Sequence, residues 1–225
     1  MMILENIKLD IPQKTGWDFL TKLMGGRSNP QIENLLVEKY EICISSIKPK
    51  AIYSNYEIEK IIDDCVYFKS GNIFKGPNIS KILKGSEIST IFITTLGSTI
   101  DKIIKDVSDS GDMLSTIIMD AITTELLGIL GNHIGDIIKK EGVREKNWGS
   151  TCTYSPGQYK WTIEEQKEIF SMVDGNKIGV ELNNSYLMVP FKSISGVYGF
   201  GPIDSIDKTR VACDLCPREN CIGRR

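Results

Sequence analysis

Apolar residues recur at helical spacing in several stretches of the chain, and these stretches predict helices. Pro30 opens the first, which runs through residues 32–47. A second helix is predicted over residues 98–107, directly after a strongly β-forming run. Ser98 or Thr99 is expected to cap its first turn, since a hydroxyl there can accept a free backbone N–H.

The longest predicted helix runs from about Asp112 to Lys140 and carries two different lines of residues. One is an apolar stripe with a histidine in it: Leu114, Ile118, Ile122, Leu126, Ile129, His133 and Ile137. The other contains small residues: Thr124, Gly128, Gly131 and Gly135. Because glycine lowers helix stability, the second line predicts close approach of a packed neighbouring helix or a flat ligand. The place of His133 in the stripe predicts a hydrogen-bonded core histidine.

β-Branched and aromatic residues predict strands at 51–58, 65–74 and 88–96, with a short helix at 78–85. Residues 177–201 alternate β-forming residues with glycines and predict two or three further strands. Helices and strands do not alternate strictly along the chain, which argues against a parallel sheet. We therefore predict an α+β fold, with a mainly antiparallel twisted sheet and packed helices.

A sharp exposed turn is predicted at Ser155-Pro156-Gly157, since these residues favour tight turns. Thr162 is expected to cap the short amphipathic helix that follows, with Glu165 completing a capping box.

Composition and charge exclude several classes of protein. The chain has 225 residues and a formal net charge of −2, which argues against broad electrostatic binding of nucleic acid. It contains no run of about 18 apolar residues and no basic-then-apolar start, so neither a membrane span nor a signal peptide is predicted. We expect a cytoplasmic protein with reduced thiols.

Motifs for common chemistries are absent from the sequence. There is no phosphate-binding loop of the G-x-x-x-x-G-K-[ST] type. Gly196, Gly199 and Gly201 are followed by Pro202 rather than by a helix, so they do not form a dinucleotide-binding fingerprint. The single histidine excludes a metal site built from several histidines.

The cysteines are the most specific local signal. Cys213, Cys216 and Cys221 follow C-x2-C-x4-C spacing near the C-terminus, and Cys152 would supply a fourth thiolate if this tail folds back. Four thiolates would suit tetrahedral zinc or an iron–sulfur cluster, but the spacing does not choose between these and free thiols. The two remaining cysteines, Cys43 and Cys65, are predicted to be small buried hydrophobic residues.

One segment carries a resemblance to a known family. The run LNNSYLMVPFKSISGVYGFG (182–201) contains a leucine, a serine with an aromatic, a methionine with a proline, and S-x-S-G with an aromatic. These residues are Leu182, Ser185, Tyr186, Met188, Pro190, Ser193, Ser195, Gly196 and Tyr198. The pattern resembles the signature of the activation domain of cobalamin-dependent methionine synthase. The Pro156-Gly157 turn and the segments 94–104 and 119–140 match in kind and order, so the resemblance covers nearly the whole chain and is closest to stand-alone relatives of that domain.

The resemblance implies a function in methionine biosynthesis. In that family the domain binds S-adenosylmethionine and donates its methyl group to a cobalamin that a partner protein carries. One electron and the methyl group together reactivate the inactive cob(II)alamin. The expected partners are a corrinoid-binding protein, or a methionine synthase lacking its own activation domain, and an electron donor.

The resemblance also implies where the ligands lie. The faces toward S-adenosylmethionine and the corrinoid are expected at two segments, Ser155, Pro156, Gly157, Gln158 and Tyr159, and Ser193, Ser195, Gly196 and Tyr198. A structural alternative for the second segment is a strand bulge. No catalytic residue is assigned, because methyl transfer from a sulfonium depends on positioning rather than on acid–base groups.

Three positions depart from the family pattern. Thr153 stands where the family has arginine, Gln158 where it has tyrosine, and Gly128 where it often has glutamate. The family residues would bind the carboxylate and the amino or ribose groups of the ligand through charge-assisted bonds worth about 1.5–3 kcal/mol each. Tyr159 and Lys160 would have to compensate for them in a shifted loop.

Three functional interpretations follow. The predicted one is an activation subunit that methylates and helps to reactivate a protein-bound corrinoid. The alternative is a metal- or iron–sulfur-containing redox partner that does not use S-adenosylmethionine, and a third is a docking module that covers the corrinoid. The chain is expected to form a single unit over 1–225, with an N-terminal portion (1–90), a family core (91–201) and a cysteine-rich tail (202–225).

Overall fold

The computed structural model describes residues 1–13, 15–17, 30–143 and 147–221. The strands are β1 (Met2–Leu4), β2 (Lys50–Ile62), β3 (Cys65–Phe68), β4 (Ile73–Lys75), β5 (Ile88–Thr95), β6 (Trp148–Ser150), β7 (Glu181–Leu182), β8 (Met188–Val189) and β9 (Ser193–Pro202). The α-helices with described bounds are α1 (Pro30–Ser46), α2 (Pro77–Ile82), α3 (Ser98–Asp109), α4 (Met113–Gly142) and α5 (Gln166–Met172). Short 3-10 helices lie at Ile163–Glu165, Gly175–Ile178 and Ala212–Leu215.

Seven of the strands form one antiparallel sheet. Its order is β4-β3-β2-β5-β9-β6, and β1 pairs with the start of β2. The predicted strand over 65–74 is instead the β3–β4 hairpin, because Gly71 adopts φ +91° and turns the chain. The α+β prediction with a mainly antiparallel sheet is confirmed.

The sheet separates two hydrophobic cores. On one face, α1, α3 and α4 cover side chains such as Ala51, Phe92 and Tyr198. On the other face, α2, α5 and much of the chain between residues 152 and 180 cover Ile52, Ile91 and their neighbours. Because both faces are covered, the central strand β5 is buried along almost its whole length.

Two glycines of the long helix α4 allow it to pack closely against the sheet. A Cβ at Gly131 would collide with Ile194 of β9, and one at Gly135 with the hydroxyl of Tyr198. The close neighbour that the small residues predicted is therefore a strand rather than another helix. A Cβ added at Gly128 would meet no heavy atom within 4 Å, so Gly128 takes no part in this contact.

The buried face of α4 differs from the predicted stripe at its first residue, Leu114, which is exposed, and in its second half. His133 is exposed, and the buried residues there are Leu130, Ile134 and Ile138. The prediction of a core histidine is wrong. Two neighbouring rows of side chains along α4 are apolar, and the spacing of apolar residues alone does not show which row is buried. By length and composition α4 could cross a membrane, but half of its apolar 18-residue window is buried inside the protein.

Two predicted helix caps are wrong. The α3 cap is Gly97, with no side-chain cap bond, and neither Ser98 nor Thr99 fills that role. Thr162 precedes a 3-10 turn without capping it. Glu165 accepts from the backbone N–H of Lys75 at 2.8 Å instead of closing a capping box, and so ties the start of α5 to β4.

Candidate functional site

A cleft of about 570 Å³ lies between the predicted Pro-Gly turn and the C-terminal tail. The turn contributes Tyr154, Gly157, Gln158 and Tyr159 to one wall. The tail contributes Ala212, Cys213, Cys216, Pro217, Arg218 and Cys221 to the other. Its size falls within the range of about 300–1,000 Å³ typical of small-molecule sites.

The first wall contains a tight turn, as predicted, but of Ser155, Pro156 and Gly157 only Gly157 is exposed, and Pro156 is buried. The N–H of Gln158 donates to the carbonyl of Ser155 at 3.1 Å, and Gly157 adopts φ +90° at the third position. A positive φ at that position after proline describes a type II turn, which favours glycine. The side chain of Gln158 folds back and accepts from the N–H of Ser155 at 2.9 Å, so it reinforces the turn.

A buried polar cluster holds this turn against α2. The hydroxyl of Tyr154 donates to the carbonyl of Tyr159. Nδ2 of Asn78 lies 2.7 Å from the same carbonyl and 3.1 Å from the Tyr154 hydroxyl. Burial raises the pKa of Tyr154, and the ring stacks on Trp161 at 5.9 Å. The base of the turn is therefore held in place by buried hydrogen bonds and ring stacking, while Gly157, Gln158 and Tyr159 remain exposed.

Replacing Asn78 with alanine tests this support. We expect the free energy of unfolding to fall by about 1–3 kcal/mol, because the buried acceptors lose a donor that water cannot replace. Urea unfolding followed by circular dichroism measures the change. Asn176→Ala is the matched control, since Asn176 is exposed and bonds only locally to Asp174. Equal losses in the two variants would contradict this role of Asn78.

The C-terminal tail folds back onto the turn. Asp207 accepts from the backbone of Arg210 at 3.2 Å and pairs with its guanidinium at 2.9 Å. The 3-10 helix Ala212–Leu215 follows and places Cys213 and Cys216 in the cleft wall.

The four predicted metal-ligating cysteines are only partly brought together. Cys213, Cys216 and Cys221 line the cleft, whereas Cys152 packs against the second core, where burial raises its pKa. Among the residues that the structure describes, no three of His, Cys, Asp and Glu are placed to hold a metal ion. The arrangement therefore gives no support to a zinc or iron–sulfur centre. As predicted, Cys43 is fully buried, whereas the same prediction for Cys65 is wrong, since Cys65 is only partly buried.

The second predicted segment lies inside the sheet rather than in the cleft wall. Ser193 donates to the carbonyl of Pro190 at 2.7 Å, and Ser195 donates to Oε1 of Gln166 at 2.8 Å. Tyr198 stacks on Phe92 at 5.8 Å in the first core. Since β9 pairs with β5 in unbroken register over this segment, the alternative of a strand bulge is also wrong.

The two predicted segments are nevertheless neighbours. Tyr154 and Val197 exchange backbone hydrogen bonds of 3.2 and 2.9 Å. A Cβ at Gly196 would meet Oγ of Ser155 at 3.0 Å, so the glycine allows the turn to lie close against β9. The second segment thus positions the turn and does not itself line the cleft.

Of the three departures from the family pattern, only Gln158 lies in the cleft wall. The hydroxyl of Thr153 is buried and has no hydrogen-bond partner among the described residues.

Two residues of the site carried no signal in the sequence. Asn78 looked like an ordinary residue of a short helix, and Arg218 was visible only as a neighbour of the cysteines.

A second groove, of about 620 Å³, lies between α3 and the start of α4. Phe191 forms part of its wall and is 67% exposed. Lys192, at the same groove, pairs with Asp120 at 2.7 Å. None of the predicted site residues lies there.

Comparison with known proteins supports the fold. No protein family's sequence profile matches the chain, and no curated protein does. A solved structure does match, namely the crystal structure of the MetH reactivation domain bound to AdoHcy. The match has a TM-score of 0.66 and 13% sequence identity, and covers 94% of this chain and 80% of that one. The chain has the fold of that domain.

Proposed function

We propose that the chain binds S-adenosylmethionine in the cleft between the turn and the tail, and donates its methyl group to a corrinoid held by a partner protein. The observation that carries the proposal is a cleft of ligand size at the Pro-Gly turn, in a fold shared with a domain crystallised with AdoHcy.

The chemistry requires positioning more than side-chain reactivity. The sulfonium methyl group moves to the reduced corrinoid of the partner, and S-adenosylhomocysteine remains in the cleft. A separate electron donor supplies the electron that the inactive corrinoid needs. The protein must hold the sulfonium rigidly and exclude water from it. The tight turn, fixed from below by Asn78 and Tyr154, is suited to that task.

A calorimetric titration with S-adenosylmethionine and S-adenosylhomocysteine, under anaerobic conditions, tests the binding step. We expect dissociation constants in the micromolar range. No detectable heat at millimolar ligand would contradict the proposal. That result would favour the alternative function, a redox or docking partner that does not use S-adenosylmethionine. The three cysteines that line the cleft support this alternative.

We assign recognition of the ligand's carboxylate to Arg218. The family's arginine is replaced by Thr153, and Arg218 lines the tail side of the same cleft. Arginine matches a carboxylate with two parallel N–H donors, so it can take over the role from another chain position.

Arg218→Ala should weaken S-adenosylhomocysteine binding about 10- to 100-fold, the range expected when a charge-assisted bond is lost. It should leave the binding of 5′-methylthioadenosine unchanged, because that ligand lacks the amino-acid carboxylate. Calorimetry with both ligands measures the difference. Arg210→Ala is the control, since Arg210 pairs with Asp207 and does not line the cleft.

Measurements with the two ligands distinguish a wrong binding site from a wrong assignment of Arg218. If wild-type protein binds neither, the proposed site is wrong. If Arg218→Ala weakens both ligands equally, or neither, the assignment of Arg218 is wrong while the site stands.

A further inference from the structure

Two cysteines of the tail, three positions apart, are joined by a backbone hydrogen bond. Cys213 lies in the 3-10 helix Ala212–Leu215 and Cys216 directly follows it, and the N–H of Cys216 donates to the carbonyl of Cys213 at 3.1 Å. Such an i to i+3 bond keeps the two Cα atoms within about 7 Å of each other. Disulfides span Cα separations of about 4.4–6.8 Å, a range that overlaps the one such a turn imposes.

Both cysteines are accessible to a small reagent. They are half-buried and line the open cleft of about 570 Å³. Cys43 differs from them, because it is fully buried and burial raises the pKa of its thiol to about 12. Cys221 also lines the cleft but lies five positions beyond Cys216, outside the turn that fixes the pair.

We propose that Cys213 and Cys216 form a redox-active dithiol, which small-molecule disulfides such as glutathione disulfide convert to an intramolecular disulfide in the cleft wall. This property goes beyond the proposed methyl transfer and does not depend on it.

The exchange proceeds in two balanced steps. One thiolate of the pair attacks glutathione disulfide, forms a mixed disulfide and releases one glutathione. The second thiolate then attacks the protein sulfur of that mixed disulfide, forms the Cys213–Cys216 bond and releases the second glutathione. Two protein thiols are oxidised and one glutathione disulfide is reduced to two glutathiones. The short distance favours the second step over accumulation of the mixed disulfide.

Mass spectrometry of the intact chain after treatment with glutathione disulfide tests the proposal. We expect the loss of two hydrogens, reversed by dithiothreitol, with no lasting glutathione adduct on the pair. Trypsin cleaves after Arg210 and Arg218, so the peptide 211–218 carries both cysteines and neither Cys152 nor Cys221. The disulfide should lie within this peptide.

Variants of single cysteines identify the thiol that displaces glutathione in the second step. Cys216→Ser should leave Cys213 as a glutathione adduct, because the thiol that the turn fixes beside Cys213 is then gone. Cys221→Ser is the matched control and should form the same internal disulfide as the wild type.

Several results would overturn the proposal. These are a stable glutathione adduct on the wild-type pair, a disulfide that includes Cys152 or Cys221, and no reaction within peptide 211–218. Stoichiometric zinc or iron, retained on these cysteines after anaerobic purification and protecting them from oxidation, would also overturn it.

Discussion

Trp161→Ala should lower the free energy of unfolding by about 3–5 kcal/mol, the largest effect on stability that we expect from a single truncation. Trp161 is 1% exposed and lies between Phe74, at 5.4 Å, and Tyr154, at 5.9 Å. Its removal leaves a cavity beneath the turn, because these rings belong to elements that are tied to the sheet. Chemical unfolding followed by far-ultraviolet circular dichroism measures the loss.

The matched control is Trp148→Ala. Trp148 lies on the edge strand β6 and is only partly buried, so less apolar surface is lost from the core and a smaller effect is expected. Similar losses in the two variants would contradict the view that the aromatic cluster around Trp161 supports the site.

Gly157→Val should remove ligand binding while leaving the fold intact, with affinity for S-adenosylhomocysteine lowered about 100-fold or more. Gly157 adopts φ +90°, which strains a β-branched residue by about 1–3 kcal/mol, and an added Cβ would lie 3.1 Å from Cδ1 of Ile163. The turn would have to change shape, and Gln158 and Tyr159 would move with it. Calorimetry measures the binding, and reactivation of a partner's corrinoid measures the consequence.

Gly71→Val separates backbone strain from loss of the site. Gly71 has φ +91°, has no atom within 4 Å of an added Cβ, and lies in the β3–β4 hairpin. We expect it to lose comparable stability but to bind ligand normally. Unchanged binding or unchanged reactivation by Gly157→Val would contradict the assignment of the turn.

Much of the fold follows from local sequence patterns. The strands over 88–96 and 51–58 were predictable because β-branched and aromatic residues dominate them. The turn at Ser155-Pro156-Gly157 was predictable because its conformation depends on its own residues. The buried row of α4 was not, since two adjacent rows are apolar and only the packing of β9 against Gly131 and Gly135 decides between them.

The site itself was only half predictable. Gly157, Gln158 and Tyr159 of the predicted turn line the cleft, whereas Ser193 and Ser195 are engaged by Pro190 and Gln166 inside the sheet. Which side chains of a strand reach a ligand depends on what covers each face, and the chain pattern does not contain that information. That Arg218 lines the same cleft as the turn depends on how the tail folds, which the sequence pattern does not give.

Hydrogen–deuterium exchange with and without saturating S-adenosylhomocysteine tests the central claim most directly, because it locates the ligand. The account predicts slower exchange in the turn at residues 155–161 and in the tail at residues 211–218, with no change in the β3–β4 hairpin. Protection confined to the groove beside Phe191, or no protection anywhere at saturation, would contradict binding in the cleft.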